Sequence, residues 1–476
     1  MATRINIKMY KVKELGDCFL LTVHHNNIVK YVLIDCGSFR NGKGSQDRMR
    51  QIVSDIKDKQ LKGAKLDVVV ATHQHNDHVS GFVHAEDLFT AIGIEQVWLS
   101  WLDNPKNKQA VNIGANHLEL RKSLKQASEK LDELSKNKSG HRSHSAMARK
   151  AFNTKNLLDD LLGFYGAAPA LPAKGIEILK GIGEKKVDYL SPGEIKAIPG
   201  IDSGDLRIYV LGPPKNEALL YRKDPKKGES YDHKLSAMNN MIQHFMAAME
   251  NRNNKEDKEE QQFPFNKDYK RFTDKTKSGS APLNQVIDLY ERKENGWRTI
   301  DEDWMEQASR LALYMDTFTN NSSLVLAFEI VRTGKVLLFA ADAQTGNWIS
   351  WNDLEFKGEE TTVENLLSRT VLYKVGHHGS HNSTLKSALE KMTSDDLVAM
   401  IPVDKKDPNI TKVNGWQMPA TNLYNRLKEK TNYRILRMDD GFADECNPKT
   451  SKKAKASWAK VSQPKITPLF VEYTIS

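Results

Sequence analysis

Apolar and polar residues alternate in short segments over the first hundred positions, which is the pattern of half-buried strands. The predicted strands cover residues 5–11, 18–23, 29–34, 68–71 and 96–101. Apolar residues at helical spacing separate the later strands, near residues 46–59 and 81–92. The order of elements, two strands followed by a strand–helix–strand unit, predicts an α/β fold.

The middle of the chain has a helical pattern instead. From Ile113 to Leu134 apolar residues recur every three or four positions, which predicts an amphipathic helix. A methionine-rich stripe (Met238, Met241, Phe245, Met249) is typical of helix packing, and the highly charged stretch 251–280 is predicted to be a loop. Strand alternation returns at residues 207–211, 324–330, 336–341, 370–375, 397–403 and 469–475.

These patterns predict one α/β unit built from two sequence-distant halves. The predicted parts are a first half at 1–103, a helical insertion at 104–200, a core strand segment at 201–230, a second helical insertion at 231–319, and a second half at 320–476. Length alone suggests about three domains at roughly 150 residues each. The interrupted pattern favours one fold with insertions over three domains in series.

Composition narrows the class of protein. Apolar residues make up 39% and charged residues 28% of the 476 positions, which excludes collagen, a coiled-coil rod and wholesale disorder. The three cysteines, Cys18, Cys36 and Cys446, fit neither a disulfide framework nor a cysteine-based zinc site. No apolar run reaches the roughly 18 residues of a membrane span. We therefore expect a cytoplasmic protein in a reducing compartment, with no membrane partner.

The densest group of chemically active side chains follows the apolar segment 66–71, as Thr72-His73-Gln74-His75-Asn76-Asp77-His78. Residues i and i+2 of extended backbone project to the same side, so His73 and His75 can converge on one cation. Asp77 and His78, past the turn, can face a second cation. Imidazole and carboxylate ligands suit Zn²⁺, Mn²⁺ or Fe, and an open mixed site is typical of hydrolysis. A polar loop with incidental histidines is the alternative.

Two later strand patterns end in the same residue types. Segment 336–341 ends at Asp342, and segment 370–375 is followed by Gly376-His377-His378-Gly379-Ser380-His381. By itself, an aspartate at a strand end is usually a turn residue or a helix cap. Together with the first cluster, Asp342 supplies a bridging carboxylate and the His377–His378 pair supplies a further imidazole. The sequence therefore predicts a two-metal site.

These residues resemble the metallo-β-lactamase fold superfamily. Asp35 resembles its first motif, residues 73–78 its second, Asp342 its fourth and His377 its fifth. The phrases at 16–21, 211–214, 320–324 and 377–380 look most like the hydrolase domain of ComEC-type competence proteins. The resemblance covers residues 5–100, 205–215 and 320–475. It implies a four-layer αββα sandwich interrupted by the two helical insertions.

One position departs from the pattern of the superfamily. The third motif usually brings a histidine to the first metal, and this chain has Gly212 there. The resemblance implies two divalent cations, Zn²⁺ or Mn²⁺, with the first held more weakly by His73, His75 and Asp342 alone. Substitution by His84 or His117 is an alternative, although each is more simply a residue of a helix surface. ComEC-type domains, conversely, often carry aspartate at the position of His75.

The remaining site residues receive roles from the same chemistry. Two adjacent cations lower the pKa of a shared water and stabilise charge that develops on a phosphoryl or acyl oxygen. Asp77 would orient the resulting hydroxide, and Asp35 would support the loop that carries the ligands. His381 or His378 would donate a proton to the leaving group. Of the adjacent pair, we favour His377 as the metal ligand because it comes first off the strand.

Charge distribution bears on the substrate. The net charge is +9, yet residues 105–155 hold 12 Lys and Arg against 4 acidic residues, and residues 446–465 hold six lysines and no acid. Such basic stretches are typical of a surface that binds the phosphate backbone of a nucleic acid. The alternative is that they are solvated helix faces. Trp101 and Trp458 beside them can stack on bases or simply pack. The candidates for substrate binding are Lys122, Lys125, Arg142 and Arg149.

The favoured function is a metal-dependent phosphodiesterase or nuclease that acts on nucleic acid. One alternative is a hydrolase of a small molecule, such as a cyclic nucleotide, a lactone or a thioester, with the insertions as a lid. Another is a non-catalytic interaction protein whose helical insertions bind a protein partner.

Overall fold

A computed structural model describes residues 3–136, 142–165, 171–222, 281–292, 303–413 and 415–476. The chain divides into two units, the first comprising Met1–Ala115, Gly163–Gly228 and Asp316–Ser476, and the second Asn116–Leu162 and Glu229–Met315. The methionine stripe 238–249 and the charged stretch 251–280 lie outside the described residues, as does the side chain of Arg142.

Sixteen strands are found in the described residues. In chain order they are β1 Arg4–Tyr10, β2 Cys18–His25, β3 Ile28–Cys36, β4 Leu66–Val70, β5 Ile94–Ser100, β6 Gly183–Leu190, β7 Ile195–Lys196, β8 Leu206–Gly212, β9 Val325–Ile330, β10 Lys335–Phe339, β11 Thr370–Lys374, β12 Val398–Ile401, β13 Ile435–Arg437, β14 Gly441–Phe442, β15 Lys465–Ile466 and β16 Phe470–Ile475.

Helices connect most of these strands. The α-helices of the described residues are α1 Lys43–Asp55, α2 Asn76–His84, α3 Glu86–Ile92, α4 Lys108–Lys136, α5 Arg142–Gly163, α6 Leu171–Ile182, α7 Glu217–Leu220, α8 Ala281–Glu291, α9 Asp303–Asn321, α10 Thr345–Ile349, α11 Val363–Ser368, α12 Lys386–Lys391, α13 Pro408–Thr411, α14 Thr421–Lys430 and α15 Lys452–Trp458. No helix of the described residues is long and apolar enough to cross a membrane.

The first unit contains two eight-stranded sheets. One has the strand order β15-β16-β1-β2-β3-β4-β5-β6 and the other β14-β13-β12-β11-β10-β9-β8-β7. Strand β1 near the beginning of the chain pairs antiparallel with β16 near its end, with Ile5 opposite Ile475. Strands β3 to β6 run parallel, and so do β10 to β13. Each sheet therefore gathers several carboxyl ends of strands at one edge.

The apolar residues of the strands sort onto two faces. In β9, Leu326 and Phe328 face the core shared by both sheets, whereas Val325 and Ala327 face a second core against helices. Rings of Phe19 and Phe339, from opposite sheets, meet at 5.8 Å between centroids. Helices cover the outer face of each sheet. The predicted α/β sandwich of αββα layers is confirmed.

The region 104–200, which we predict to be a helical insertion, contains helices α4 to α6 and strands β6 and β7. Helix α4 confirms the predicted amphipathic helix, and the chain returns to the first unit at Gly163. Helix α6 then packs against α2, and β6 extends the first sheet beside β5. The sequence pattern does not predict strand β6, because apolar and polar residues do not alternate at its start, Gly183-Glu184-Lys185-Lys186. All three cysteines are buried and free.

Candidate metal centre

The predicted site residues follow the ends of parallel strands in the two sheets. Asp35 is the penultimate residue of β3, and the run 73–78 begins three residues after the end of β4. Asp342 follows β10, and the His377–His378 pair follows β11. Since β3 and β4, like β10 and β11, run parallel, both sheets bring polar side chains to the same edge of the sandwich.

The backbone at this edge adopts conformations that ordinary residues avoid. Asp35, Ala341, His377 and His378 all have positive φ values, of 56°, 47°, 41° and 51°. At Gly37, an added Cβ would lie 2.4 Å from the backbone of Asp77, so only glycine allows this approach. Left-handed non-glycine residues are costly and cluster at functional sites. The fold therefore stores strain where it positions these side chains.

Four side chains converge into a cluster that can hold a metal ion. Asp77, His78, Asp342 and His378 each offer a ligand atom, and these atoms lie within 4.8 Å of one another. The His78 Nε2 atom lies 3.2 Å from Asp342 Oδ2, and His378 Nε2 lies 3.0 Å from Asp77 Oδ2. All four residues are fully buried. We call them the four-residue cluster.

Hydrogen bonds behind the cluster fix the orientation of both imidazoles. The Nδ1–H of His78 donates to Asp35 Oδ2 at 2.7 Å, and the Nδ1–H of His378 donates to the carbonyl oxygen of Pro402 at 2.7 Å. Each ring therefore presents Nε2 to the carboxylates. A carboxylate or carbonyl behind a ligating histidine is the usual support of a protein metal site.

The cluster also contains buried polar atoms without hydrogen-bond partners. They include Asp77 Oδ1, His78 Nε2 and Asp342 Oδ2, and the last two lie 3.2 Å apart. Burying such atoms unpaired is costly, so their presence in a native structure requires an explanation. A divalent cation explains it, since two imidazole nitrogens and two carboxylates suit Zn²⁺ or Mn²⁺. The donor set thus fits a metal ion.

Electrostatics at the cluster favour a bound cation. Burial by itself lowers the pKa of His78, but Asp342, Asp35 and Asp77 outweigh it and raise that pKa well above its usual value. Burial raises the pKa of Asp342, but His78, His378 and Lys374 outweigh it and hold that pKa well below the ordinary range. The carboxylates therefore stay ionised and attract positive charge.

A buried ion pair supports the cluster from the side. The ammonium of Lys374 contacts Asp17, donates to the carbonyl of Ala341 at 2.8 Å and lies 3.4 Å from Asp342 Oδ1. Lys374 and Asp17 are 2% and 1% exposed. Sequence reasoning assigned no role to either residue. The available signal was a lysine at the end of the apolar strand β11, because a buried lysine needs a charged partner.

The sequence model of the metallo-beta-lactamase superfamily matches residues 16–213. Residues 16–213 are therefore similar to the metallo-beta-lactamase superfamily. The match includes Asp35 and the run 73–78, and the two-sheet sandwich with a metal-binding cluster at the strand ends agrees with it. The finer likeness to ComEC-type proteins remains a prediction. A search of curated proteins found no significant match.

The other two histidines of the superfamily's second motif form a separate pair. His73 Nε2 and His75 Nδ1 lie 3.2 Å apart, and both residues are buried. Thr72 Oγ1 donates to Asp35 Oδ2 and lies 3.1 Å from His73 Nδ1. Burial is the main cause that lowers the pKa of His73 well below its usual value and that of His75 to about 3. Both imidazoles are therefore neutral.

Gly212, at the third-motif position of the superfamily, faces a filled space. An added Cβ at Gly212 would lie 2.2 Å from Asn347 Oδ1. The Asn347 side chain donates to the carbonyls of Asn321 and Ser323 and accepts a hydrogen bond from Trp351. The Asn347 amide therefore uses its hydrogen bonds to hold the backbone of Asn321 and Ser323 in place. A residue larger than glycine at position 212 would displace the Asn347 side chain.

The remaining predicted ligands lie outside the four-residue cluster. His378, and not the favoured His377, belongs to it, because the left-handed turn at both residues directs consecutive side chains differently. His377 Nδ1 instead lies 2.9 Å from Ser380 Oγ. His84 contacts Asn41 at 3.2 Å, and His117 belongs to the second unit.

The other predicted catalytic and substrate-binding residues are on the surface. His381 is exposed and outside the cluster. Lys122, Lys125 and Arg149 are exposed residues of the second unit. The two tryptophans that were candidates for base stacking are buried instead. The indole of Trp101 donates to the carbonyl of Pro213, and that of Trp458 donates to the carbonyl of Cys446.

Proposed function

We propose that this protein is a metal-dependent phosphodiesterase that cleaves nucleic acid. The superfamily and the four-residue cluster support the coarser statement, a metal-dependent hydrolase. A divalent cation in such a site polarises a phosphoryl oxygen and makes water nucleophilic near neutral pH. The choice of a nucleic acid as substrate rests on the surroundings of the cluster.

The proposed activity needs metal ligands and residues that orient those ligands, and the chain supplies both. Asp77, His78, Asp342 and His378 would hold the cation, and Asp35 and Pro402 fix the two imidazoles that face it. The backbone N–H of His377 donates to Asp342 Oδ1 at 3.0 Å and so orients that carboxylate. A ligand set held in this way loses little entropy when a substrate phosphate arrives.

A row of aromatic rings beside His75 is the observation that supports nucleic acid as the substrate. The ring of Phe164 lies 5.0 Å from His75 on one side and stacks on Trp416 at 5.3 Å with an interplanar angle of 17°. Trp416 and Phe39, which meet edge to face, are half-buried. Aromatic side chains with exposed surface stack on nucleobases with little sequence preference.

Positive charge accompanies this row. The ammonium of Lys412 lies 5.7 Å from the centroid of the Trp416 ring. The backbone N–H of Asn76, in the first turn of α2, donates to the carbonyl of Phe164 at 2.5 Å, which ties the row to the metal-binding segment. An aromatic face with a nearby cation suits a nucleotide, whose base stacks while its phosphate meets positive charge.

The test is a cleavage panel of single- and double-stranded DNA and RNA with Mn²⁺, Mg²⁺ or Zn²⁺, using wild type and Asp77→Ala. We expect cleavage of at least one nucleic acid by wild type and none by Asp77→Ala. Binding through Lys and Arg should weaken steeply as salt increases. Turnover of a small ester or lactone without cleavage of any nucleic acid would overturn the proposal and favour a small-molecule hydrolase.

A further inference from the structure

We propose that Asp17 is a positioning residue for the metal-binding cluster. Its carboxylate holds and neutralises the buried ammonium of Lys374, which leaves Asp342 free to bind the cation. Neither Asp17 nor Lys374 is a metal ligand in this assignment, and both act through Asp342. The inference needs only the four-residue cluster, so it goes beyond the proposed function and does not depend on the choice of substrate.

Lys374 brings positive charge next to a carboxylate that the cation also needs. Lys374 is the last residue of β11, and its Nζ atom lies 3.4 Å from Asp342 Oδ1. Burial by itself lowers the pKa of Lys374, but Asp17 and Asp342 outweigh it and raise that pKa, so the ammonium stays charged. A positive charge beside a buried cation site weakens binding of the cation, because the interior screens charges poorly.

Asp17 draws this ammonium away from Asp342. The Lys374 ammonium contacts the Asp17 carboxylate more closely than it contacts Asp342, and it also donates to the carbonyl of Ala341 at 2.8 Å. The 3.4 Å separation from Asp342 Oδ1 is longer than a typical N–H···O hydrogen bond, which spans about 2.7–3.2 Å. The ammonium is therefore bound mainly by Asp17 and by the backbone.

The two oxygens of Asp342 have different surroundings as a result. Oδ1 accepts the backbone N–H of His377 at 3.0 Å and is the oxygen nearer to Lys374. Oδ2 has no hydrogen-bond partner and lies 3.2 Å from His78 Nε2. Oδ2 is therefore available to the cation, provided that the ammonium does not move toward Asp342.

The backbone fixes the place of Asp17 beside the cluster. The N–H of Asp17 donates to the carbonyl of Asp77 at 2.9 Å, and its own carbonyl accepts from the N–H of Gly37 at 3.0 Å. Its carboxylate oxygens lie 3.9 Å from His78 Nδ1 and 3.8 Å from His378 Nδ1. The carboxylate that neutralises the ammonium is thus anchored to the segment that carries two of the metal ligands.

The direction of each effect follows from this charge balance. Asp17→Asn leaves the ammonium of Lys374 without its counter-charge beside Asp342, so the cation should bind more weakly. Lys374→Met leaves the carboxylate of Asp17 without its counter-charge, so the cation should bind at least as tightly as in wild type. Replacing both residues restores the net charge of the wild type. A pair that only supported the fold would weaken metal binding in both single variants.

The experiment measures metal binding directly. Full-length wild type, Asp17→Asn and Asp17→Asn/Lys374→Met are loaded with Zn²⁺, dialysed against metal-free buffer and analysed for retained metal. The affinity for Zn²⁺ is then measured in competition with a chromophoric chelator. We expect Asp17→Asn to bind Zn²⁺ about 10- to 100-fold more weakly, the loss typical of removing a residue that supports a metal ligand. The double variant should bind Zn²⁺ as tightly as wild type.

The matched control is Asp353→Asn at an exposed aspartate, which should leave the affinity unchanged. Circular dichroism and thermal unfolding show which variants are folded. Where Asp17→Asn does not fold, Lys374→Met and the double variant decide, because neither should bind Zn²⁺ more weakly than wild type. Wild-type affinity in Asp17→Asn, weaker binding by Lys374→Met, or a double variant that binds no more tightly than Asp17→Asn would overturn the inference.

Zn²⁺ alone is the probe, so this test is separate from the cleavage panel. A chain that cleaves no nucleic acid can still show weaker binding in Asp17→Asn and its recovery in the double variant. That result would support the role of Asp17 while the proposed function fails.

Discussion

The two sides of the metal centre contrast in charge and in covering. On the side of His378, carboxylates surround the imidazoles and raise the pKa of His378, although burial alone would lower it. On the side of His75, burial dominates and lowers its pKa to about 3, and two aromatic rings cover it. One side attracts cations, and the other stays neutral.

This difference shows how one fold can give unequal roles to similar residues. His75 and His78 are three positions apart, yet one packs against Phe164 and the other against Asp35. Since metal affinity depends on charge and ligand number, the neighbours of a histidine decide its role more than its place in a motif.

The largest effect is expected from Asp342→Ala. It removes the carboxylate next to both imidazoles of the four-residue cluster, so the retained metal and at least about 1,000-fold of the catalytic rate should be lost. Metal content and hydrolysis of bis(p-nitrophenyl) phosphate are the measurements. The control is Asp353→Ala at an exposed aspartate, which should keep both. Unchanged metal content in Asp342→Ala would contradict the assignment of the cluster.

Lys374→Met should destabilise the protein. It leaves the buried carboxylate of Asp17 without its partner, which costs about 3–5 kcal/mol in the free energy of unfolding. Urea denaturation measures the loss. The double variant Asp17→Asn/Lys374→Met removes both charges and should recover most of the stability. A single variant as stable as wild type would show that the pair is dispensable.

Acid should act on the two sides with opposite sign in the metal-free protein. The folded-state pKa of His75, about 3, lies below the unfolded value of about 6.5, so its contribution to stability is full above pH 6.5 and is lost as the pH falls toward 3. His75→Gln should therefore remove about 2 kcal/mol of the destabilisation between pH 7 and pH 5.

His378 provides the matched comparison. Its folded-state pKa is raised, so its contribution is present below pH 6.5 and is lost as the pH rises. His378→Gln should increase the acid sensitivity that His75→Gln decreases, as measured by urea unfolding at both pH values. The same change in both variants would remove the electrostatic contrast.

The smallest effect is expected at the aromatic row. Trp416→Ala should weaken binding of a short oligonucleotide about tenfold, in line with about 1–3 kcal/mol per stacked base. Hydrolysis of bis(p-nitrophenyl) phosphate, which bears no nucleobase, should be unchanged, and Trp416→Phe should retain most binding. Equal losses for both substrates would indicate that Trp416 supports the fold rather than the substrate.

Local patterns in the sequence predicted much of the fold and many candidate residues. Strand alternation located most central strands, and the spacing within residues 73–78 exposed four donors because they are close in sequence. Asp342 was found from its place after an apolar strand. Strand β6 was missed, since its first half is polar and its position is decided by pairing with β5.

Features set by tertiary contacts were beyond such reasoning. His378 rather than His377 joins the four-residue cluster because both residues have left-handed backbone. Histidine is not a residue type from which a left-handed conformation can be predicted. The pair Asp17–Lys374 joins residues that are 357 positions apart in the sequence. The role of Asn347 depends on its contact with the backbone around Gly212. Sequence order does not encode which distant polar groups will meet.

The pairing of β1 with β16 has a consequence for biosynthesis. The first sheet is completed only when residues 470–475 are available to lie beside residues 4–10. The metal ligands also come from both halves, with Asp77 and His78 made long before Asp342 and His378. A chain still emerging from the ribosome therefore lacks half of the cluster. The complete four-residue cluster can therefore bind a metal ion only after the ribosome has made the residues up to His378.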